Sequence, residues 1–202
     1  DVTTSGAAGR AGGAAFFSNH TVSIEGNTSV TIRNNIVHYK DRTQEHSYLE
    51  SICIDSKHQG QLKLAAGANT TISLFDPITV DCNVSINANF TNSAGDSEKA
   101  VGDVMFSALH AEADLTAFLK GLLGEGNEQP SVDDLLLSRT SLVQGTTTLH
   151  AGRMMLCDGA RYEGAGFVGL AGSTLYMRSS SMYGILDPDA VIAFGDGRLV
   201  FQ

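Results

Sequence analysis

The stretch GTTTLHAGRMMLCDGARYEGAGFVGLAGSTLYM, residues 145–177, decides the fold. It is a run of short strand-like pieces broken by glycines, and like residues recur within it and just beyond. Gly145 and Gly164, Leu149 and Val168, Leu156 and Leu175, and Leu175 and Phe194 each lie 19 residues apart. A shared offset of this size is what the stacked tiers of a parallel β-helix produce, each tier laying a residue over its like. A β-sandwich of meandering short strands is the rival arrangement.

Outside this stretch the chain is written in aliphatic-x-aliphatic pairs: Val22/Ile24, Val30/Ile32, Ile52/Ile54, Leu62/Leu64, Ile72/Leu74, Val84/Ile86, Val191/Ala193 and Leu199/Phe201. Alternation at period two puts both members of a pair on one face of a strand. The gaps are about a turn long and rich in Asn, Gly, Ser and Thr, so no strand can bury much alone. Such a chain must stack many small strands into one long core. TVSIEGNTSVTIRNN (21–35) reads as two strands joined by a Gly-Asn turn. HYKDRTQEHSYLE (38–50) breaks the pattern with charge and reads as a loop thrown out from the stack.

Residues 95–141 differ. In EADLTAFLKGLLG, Leu115, Phe118, Leu119 and Leu122 follow the i, i+3, i+4, i+7 spacing of one helical face, with Gly121 and Gly124 placed to end the helix. In PSVDDLLLSR, Ser131 suits an N-cap and Asp133 and Asp134 suit the first turn of a helix. The expected fold is therefore all-β: a right-handed parallel β-helix (β-solenoid) with a short helical insertion. Its tiers fall in 1–94 and 142–202 and its insertion in 95–141, as one continuous domain.

Composition narrows the function. A net charge of −9 opposes a nucleic-acid or anionic-membrane surface. No apolar run approaches the roughly 20 residues of a membrane span, and no signal peptide is present. The opening at Asp1 rather than Met reads as a segment processed or excised from a longer protein. Cys53, Cys82 and Cys157 are widely spaced and form no C-x-x-C motif, so they read as small buried residues, with one disulfide plus a free thiol as the competitor.

Motifs of catalysis are weak. Gly164, Gly166 and Gly169 spell G-x-G-x-x-G with Asp187 about twenty residues on, but the residues after the last glycine are strand-like and no βαβ unit is visible. They read as turn glycines. The acids Asp55, Asp133, Asp134, Asp187 and Asp189 lack a matching set of acid and base one tier away, so they read as turn acids or helix caps. The six histidines (20, 38, 46, 58, 110, 150) show no metal spacing, and His38 and His46 read as members of the charged loop. No catalytic residue, cofactor or metal is expected. Asn34, Asn35, Asn69, Asn87 and Asn92 suit left-handed corners or stacked ladders.

Two features together resemble a known family. Gly12-Gly13-Ala14 runs into Phe16-Phe17-Ser18-Asn19, giving both GGA and F-x-x-N. The series SLFDPITV (73–80), GDVMFSALHAEADL (102–115) and the 145–177 block then comes in order. This is similar to the polymorphic membrane proteins of chlamydiae, which are autotransporters whose passenger carries GGA[ILVY] and F-x-x-N repeats. There a "FYDPI"-like segment precedes "FSG…L…AE" and "TTLxAGxLxLxDGA…AGSTLxM". The likeness covers most of 12–177; Ala15 departs from the larger apolar residue of the motif, and 178–202 match less clearly. No C-terminal barrel is visible, so the chain reads as the end of a passenger plus the region before the barrel.

The resemblance implies a surface adhesin exported by type V secretion, attached to the outer membrane through a barrel outside this chain or released after processing. Its partner would be a host-cell receptor or glycan, and Gly12, Gly13, Ala14, Phe16 and Asn19 would carry adhesion. The same residues also suit a purely structural role in tier corners and core. A stalk or folding segment without binding is the alternative, and a carbohydrate-active β-helix enzyme a more distant one. Open ends of the stack would leave strand edges suited to self-association.

Overall fold

The computed structural model describes residues 2–5, 15–17, 21–40, 45–54, 60–108, 112–123, 131–178, 180–185 and 192–202. After β1 (Val2–Ser5), three strands form a first tier: β2 (Ala15–Phe17), β3 (Thr21–Gly26) and β4 (Val30–Ile32). An excursion of β5 (Ile36–Lys40) and β6 (Glu45–Leu49) leads to a second tier of β7 (Ile52–Ile54), β8 (Gln61–Ala66) and β9 (Thr71–Leu74). The third tier is β10 (Ile78–Val80), β11 (Asn83–Ile86) and, after the small pair β12 (Phe90–Thr91) and β13 (Ser97–Glu98), β14 (Asp103–Ser107). Helices α1 (Glu112–Leu123) and α2 (Val132–Leu137) come next. The chain then continues through β15 (Thr140–Leu149), β16 (Gly152–Cys157), β17 (Arg161–Gly169), β18 (Ser173–Met177), β19 (Met182–Ile185), β20 (Ile192–Phe194) and β21 (Arg198–Phe201).

These strands pair in three parallel ladders. Ladder 1 runs β2–β7–β10–β15–β17–β19. Ladder 2 runs β3–β8–β11–β15–β17–β20. Ladder 3 runs β4–β9–β14–β16–β18–β21. The long strands β15 and β17 each serve ladders 1 and 2 and fuse them into one ten-stranded sheet; ladder 3 is a separate six-stranded sheet. A register shift between Val143 and Thr146 marks where β15 passes from one ladder to the other. Gly145 lies at that shift because a Cβ there would come within 2.5 Å of the Cys82 carbonyl. Among the described residues the chain is thus mostly strand, largely in parallel sheets with few helices, consistent with an all-β reading.

The aliphatic pairs line the core. Leu62 and Leu64 pair with Val84 and Ile86, and Ile72 with Val104, all buried in one cluster. An aromatic group closes the later tiers: Tyr162 stacks on Tyr183 with centroids 5.4 Å apart, and Phe106 meets Tyr162 edge-on at 5.1 Å. The Tyr162 hydroxyl is fully buried and shares a 2.7 Å hydrogen bond with Thr147. Burial drives its pKa well above the ordinary phenol value, and burial likewise pushes Tyr183 up. Both phenols stay neutral, which suits an apolar interior.

Corners hold the tiers together. Of the five asparagines expected at corners, Asn34, Asn69 and Asn87 take positive φ, whereas Asn35 and Asn92 do not. Asn87 does more. Its Oδ1 accepts from the Ala66 N–H (3.0 Å) while its Nδ2 donates to the Gly102 and Ala151 carbonyls (2.9 and 3.1 Å). One buried amide therefore ties the second, third and fourth tiers. The buried Asp76 carboxylate accepts from the Asn34 and Asn35 backbone N–H groups and from the Asn35 side chain, fixing the corner that opens the β5–β6 excursion.

Several expectations need correction. Stacked residues are not 19 apart: Leu149 pairs with Gly169, Leu156 with Met177 and Leu175 with Leu199, because corner lengths vary from tier to tier. Gly145, within the register shift, does not lie over Gly164, which pairs with Val143. Residues 38–50 are not a loop. They supply most of β5 and β6, an antiparallel pair extended by β1. The helical insertion is shorter than 95–141, since β14 belongs to ladder 3 and β15 begins at Thr140. Gly121 lies inside α1, which continues to Leu123, and Gly124 falls outside the described residues. In the 191/193 pair Val191 is outside the described residues, and the ladder line runs instead through Ile192 and Phe194.

The two excursions meet. Ile36 and Leu49 from β5–β6 bury against Leu115 and Leu119 of α1, with Leu135 of α2 alongside. Ser131 caps α2 with a full capping box to Asp134, as its sequence indicates. Asp134 also meets His46 of β6 at 3.1 Å, and the Leu49 N–H donates to Ser138 Oγ at 2.9 Å. Strands β1, β5 and β6 with both helices thus form a side module on the stack.

Candidate binding surface

Side chains alternate along each strand, so every ladder has an outer face as well as a core face. The three outer faces differ in chemistry. On ladder 1, Cys53 and Thr79 are in register and buried. On ladder 2 the outward row Ser23, Lys63, Ser85 and Thr148 is polar, and it continues as Val168 and Ala193 on the last two tiers.

Ladder 3 is different. Val104, Phe106, Met154, Leu156 and Leu175 point into the core, which turns Met105, Met155, Tyr176 and Val200 outward. These four are in direct register on consecutive tiers and all are partly exposed. With strands about 4.8 Å apart they make an apolar stripe roughly 14 Å long, running across the strands. Beside it Arg153 makes a bidentate pair with Asp103 (Nε–Oδ1 2.7 Å, NH2–Oδ2 2.6 Å), which raises the guanidinium pKa. Arg198 continues that flanking row, in register with Thr174. Met, Tyr and Arg are the residue types enriched where proteins bind other molecules, because they offer large area with few rotatable bonds or an adaptable thioether.

The residues singled out from sequence fall elsewhere. Phe16 is in β2, opposite Cys53. Gly12, Gly13, Ala14 and Asn19 lie outside the described residues. The G-x-G-x-x-G glycines are not in a turn but within β17, which removes the helix start that a phosphate cradle needs. A Cβ at Gly164 would meet the Tyr183 hydroxyl at 3.3 Å, and one at Gly169 the Phe194 ring at 3.2 Å. They make room for aromatic side chains of the next tier.

Of the candidate acids, Asp133 and Asp134 sit in the first turn of α2, while Asp55, Asp187 and Asp189 lie outside the described residues. His38 and His46 occupy neighbouring strands but engage different partners: His38 shares a 2.9 Å hydrogen bond with Ser47, and His46 meets Asp134. Since Ser47 and His46 are adjacent on one strand, the two rings face opposite ways and do not share a ligand. Among the described residues no group of three or more His, Cys, Asp or Glu could hold a metal ion. His150 meets Ser85 at 3.0 Å, and Ser85 is buried. Cys53, Cys82 and Cys157 are buried and none is in a disulfide, in line with the reading as small buried residues.

The stripe is hard to see in the sequence because an apolar pair signals what it buries, not what its neighbours expose. Its signal lies in the alternation: in DVMFS (103–107) and GRMMLC (152–157) the core takes every second residue, and a methionine stands at an outward position in each. No known family, curated protein or solved structure matches the chain.

Proposed function

We propose that the three ladders form a single right-handed parallel β-helix and that the chain is a passenger segment of an autotransporter adhesin. On this reading it resembles the chlamydial polymorphic membrane proteins, stands at the bacterial outer surface and attaches to host cells. The observation that supports binding is the outward stripe of Met105, Met155, Tyr176 and Val200, in register on four consecutive tiers. Apolar side chains turned to solvent in register on four tiers serve no core, and a contiguous patch of this kind marks interaction sites. Gly12, Gly13, Ala14, Phe16 and Asn19 are the second candidate for adhesion, through the family motifs. No catalysis is assigned: the buried Ser85 and the capping acids of α2 have structural work.

The test uses beads coated with the chain and counted on epithelial cells. Tyr176→Ser with Met155→Glu, at partly exposed outward positions, removes the stripe while leaving the inward-facing residues unchanged and lowers attachment at least tenfold. Phe16→Ala with Asn19→Ala tests the motif residues in the same assay. Attachment unchanged in both variants rejects both sites. Wild-type beads that bind no better than bare beads favour the alternative, a stalk or folding segment of the passenger.

A further inference from the structure

The fold sorts the sulfur atoms of this chain by exposure. Of its five methionines and three cysteines, Met154 and all three cysteines are buried. Burial pushes the Cys157 thiol up, away from the reactive thiolate, and the Asp158 charge adds to it. Met177 faces inward and packs against the core cluster. Met105 and Met155 are partly exposed on the outer face of ladder 3. Met182 is also partly exposed, but on ladder 1, away from the stripe.

Met105 and Met155 are register partners on neighbouring strands, so about 4.8 Å separates their backbones. β14 pairs with β9 and β16, and β16 pairs with β14 and β18, so both edges of each strand are occupied. The two thioethers therefore meet solvent through the face of the sheet, not through an end of the stack. Alternation supplies an internal control. Met154, one residue before Met155 on the same strand, points inward and is 0% exposed. One strand thus carries a shielded and an open thioether side by side.

We propose that Met105 and Met155 form a paired oxidation site through which hydrogen peroxide turns the binding stripe off. The thioether sulfur attacks one peroxide oxygen, and the S–O bond forms as the O–O bond breaks. Sulfur loses two electrons to the departing hydroxide, which takes the remaining proton and leaves as water. The product is methionine sulfoxide, polar and chiral where the side chain was flexible and apolar. Sulfoxides at both positions turn half of the four-residue stripe polar, and a partner that covers them must desolvate two S=O groups. A methionine sulfoxide reductase with a thiol donor restores the thioethers, so the change is reversible. The loss of attachment rests on the stripe being the binding face, as proposed above; the order in which the methionines oxidise does not.

Graded hydrogen peroxide on the whole chain, with each methionine read by tandem mass spectrometry, tests the site. Met105 and Met155 oxidise about tenfold or more faster than Met154 while the chain is folded, and in urea that difference disappears. Met154 reacting as fast as Met155 in the folded chain overturns the site.

Bead attachment to epithelial cells reads the switch. Oxidised wild type attaches about tenfold less than the untreated chain, keeps its urea midpoint, and recovers on treatment with the reductase. Met105→Leu with Met155→Leu removes both target sulfurs, so its attachment is the same before and after peroxide. Met182→Leu still shows the loss. A double variant that loses as much as wild type, or an oxidised wild type whose urea midpoint falls, overturns the switch. If wild-type beads do not attach, or Tyr176→Ser with Met155→Glu attaches as well as wild type, the stripe reading fails and the switch with it. Oxidised wild type that attaches normally while Tyr176→Ser with Met155→Glu does not overturns the switch alone.

Discussion

Leu64 and Leu119 are both fully buried leucines, but different kinds of neighbour bury them. Leu64 lies between Ile24 and Ile86, its register partners in the tiers on either side, so its burial comes from repetition. Leu119 is covered by Ile36 and Leu49, which come from an excursion far away in sequence. The stack is built by a chain that returns to the same position; the side module is built by two segments that meet once. A stacked tier is supported from both sides and shares its fate with its neighbours. The side module rests on a small cluster, a capped helix, the His46–Asp134 contact and the Leu49–Ser138 hydrogen bond.

The largest expected effect is at a corner of the stack. Gly152 has φ +61°, and a Cβ there would come within 2.4 Å of the Gly102 carbonyl oxygen and 2.7 Å of Asn87 Nδ2. Gly152→Ala forces left-handed strain on a side chain, disturbs the Asn87 clamp and costs about 3–5 kcal/mol in a urea melt. A loss below about 1 kcal/mol would mean that the corners are not what holds the tiers in register.

Next in size is the pair Leu64→Ala and Leu119→Ala, each removing a buried leucine side chain at a cost of about 2–5 kcal/mol where it packs. The comparison predicts different reach. Leu64→Ala raises amide exchange throughout the three ladders, whereas Leu119→Ala raises it within 36–49 and 112–137 and leaves the ladders protected. Equal spread of exchange in both variants would erase the distinction between stack and module.

The smallest effect is with pH. Burial lowers the pKa of His150 in the stack and of His38 in the side module. The unfolded chain therefore takes up protons near pH 6.5 that the folded chain refuses, so stability declines as pH falls through and below that value. His150→Gln flattens the decline in the global melt, and His38→Gln flattens it in amide exchange of the side module. A melt whose midpoint is constant from about pH 7 to about pH 5 removes this reading.

How much of this was legible depended on whether a residue's partner could be guessed from its own neighbourhood. Ile72 and Leu74 announce a strand by alternation, and Ser131 announces a helix start by the acid three residues on. HYKDRTQEHSYLE announces nothing of the kind, because the cover for Ile36 and Leu49 is held by α1 and α2. The tier offset was close yet misplaced: with a two-residue side-chain period, an error of one residue moves a side chain to the other face. Val168 is such a case, outward next to the inward Gly169. The motif residues Gly12, Gly13, Ala14, Phe16 and Asn19 rested on a family likeness, whereas Met105, Met155 and Tyr176 become visible once the inward set is fixed by register.

By itself the sequence determined that short strands alternate core and solvent at period two, that Asn and Gly turn the corners, and that two helices interrupt the strands. These are local facts, set by backbone sterics and side-chain alternation. Tertiary structure decided which tier lies on which, and therefore which apolar pairs are covered. Ile72/Leu74 and Leu199/Phe201 are written in the same alphabet, yet the first pair is 2% and 1% exposed and the second 42% and 69%. Burial of a stacked residue belongs to the neighbouring tier as much as to its own, and among the described residues β21 pairs with β18 alone.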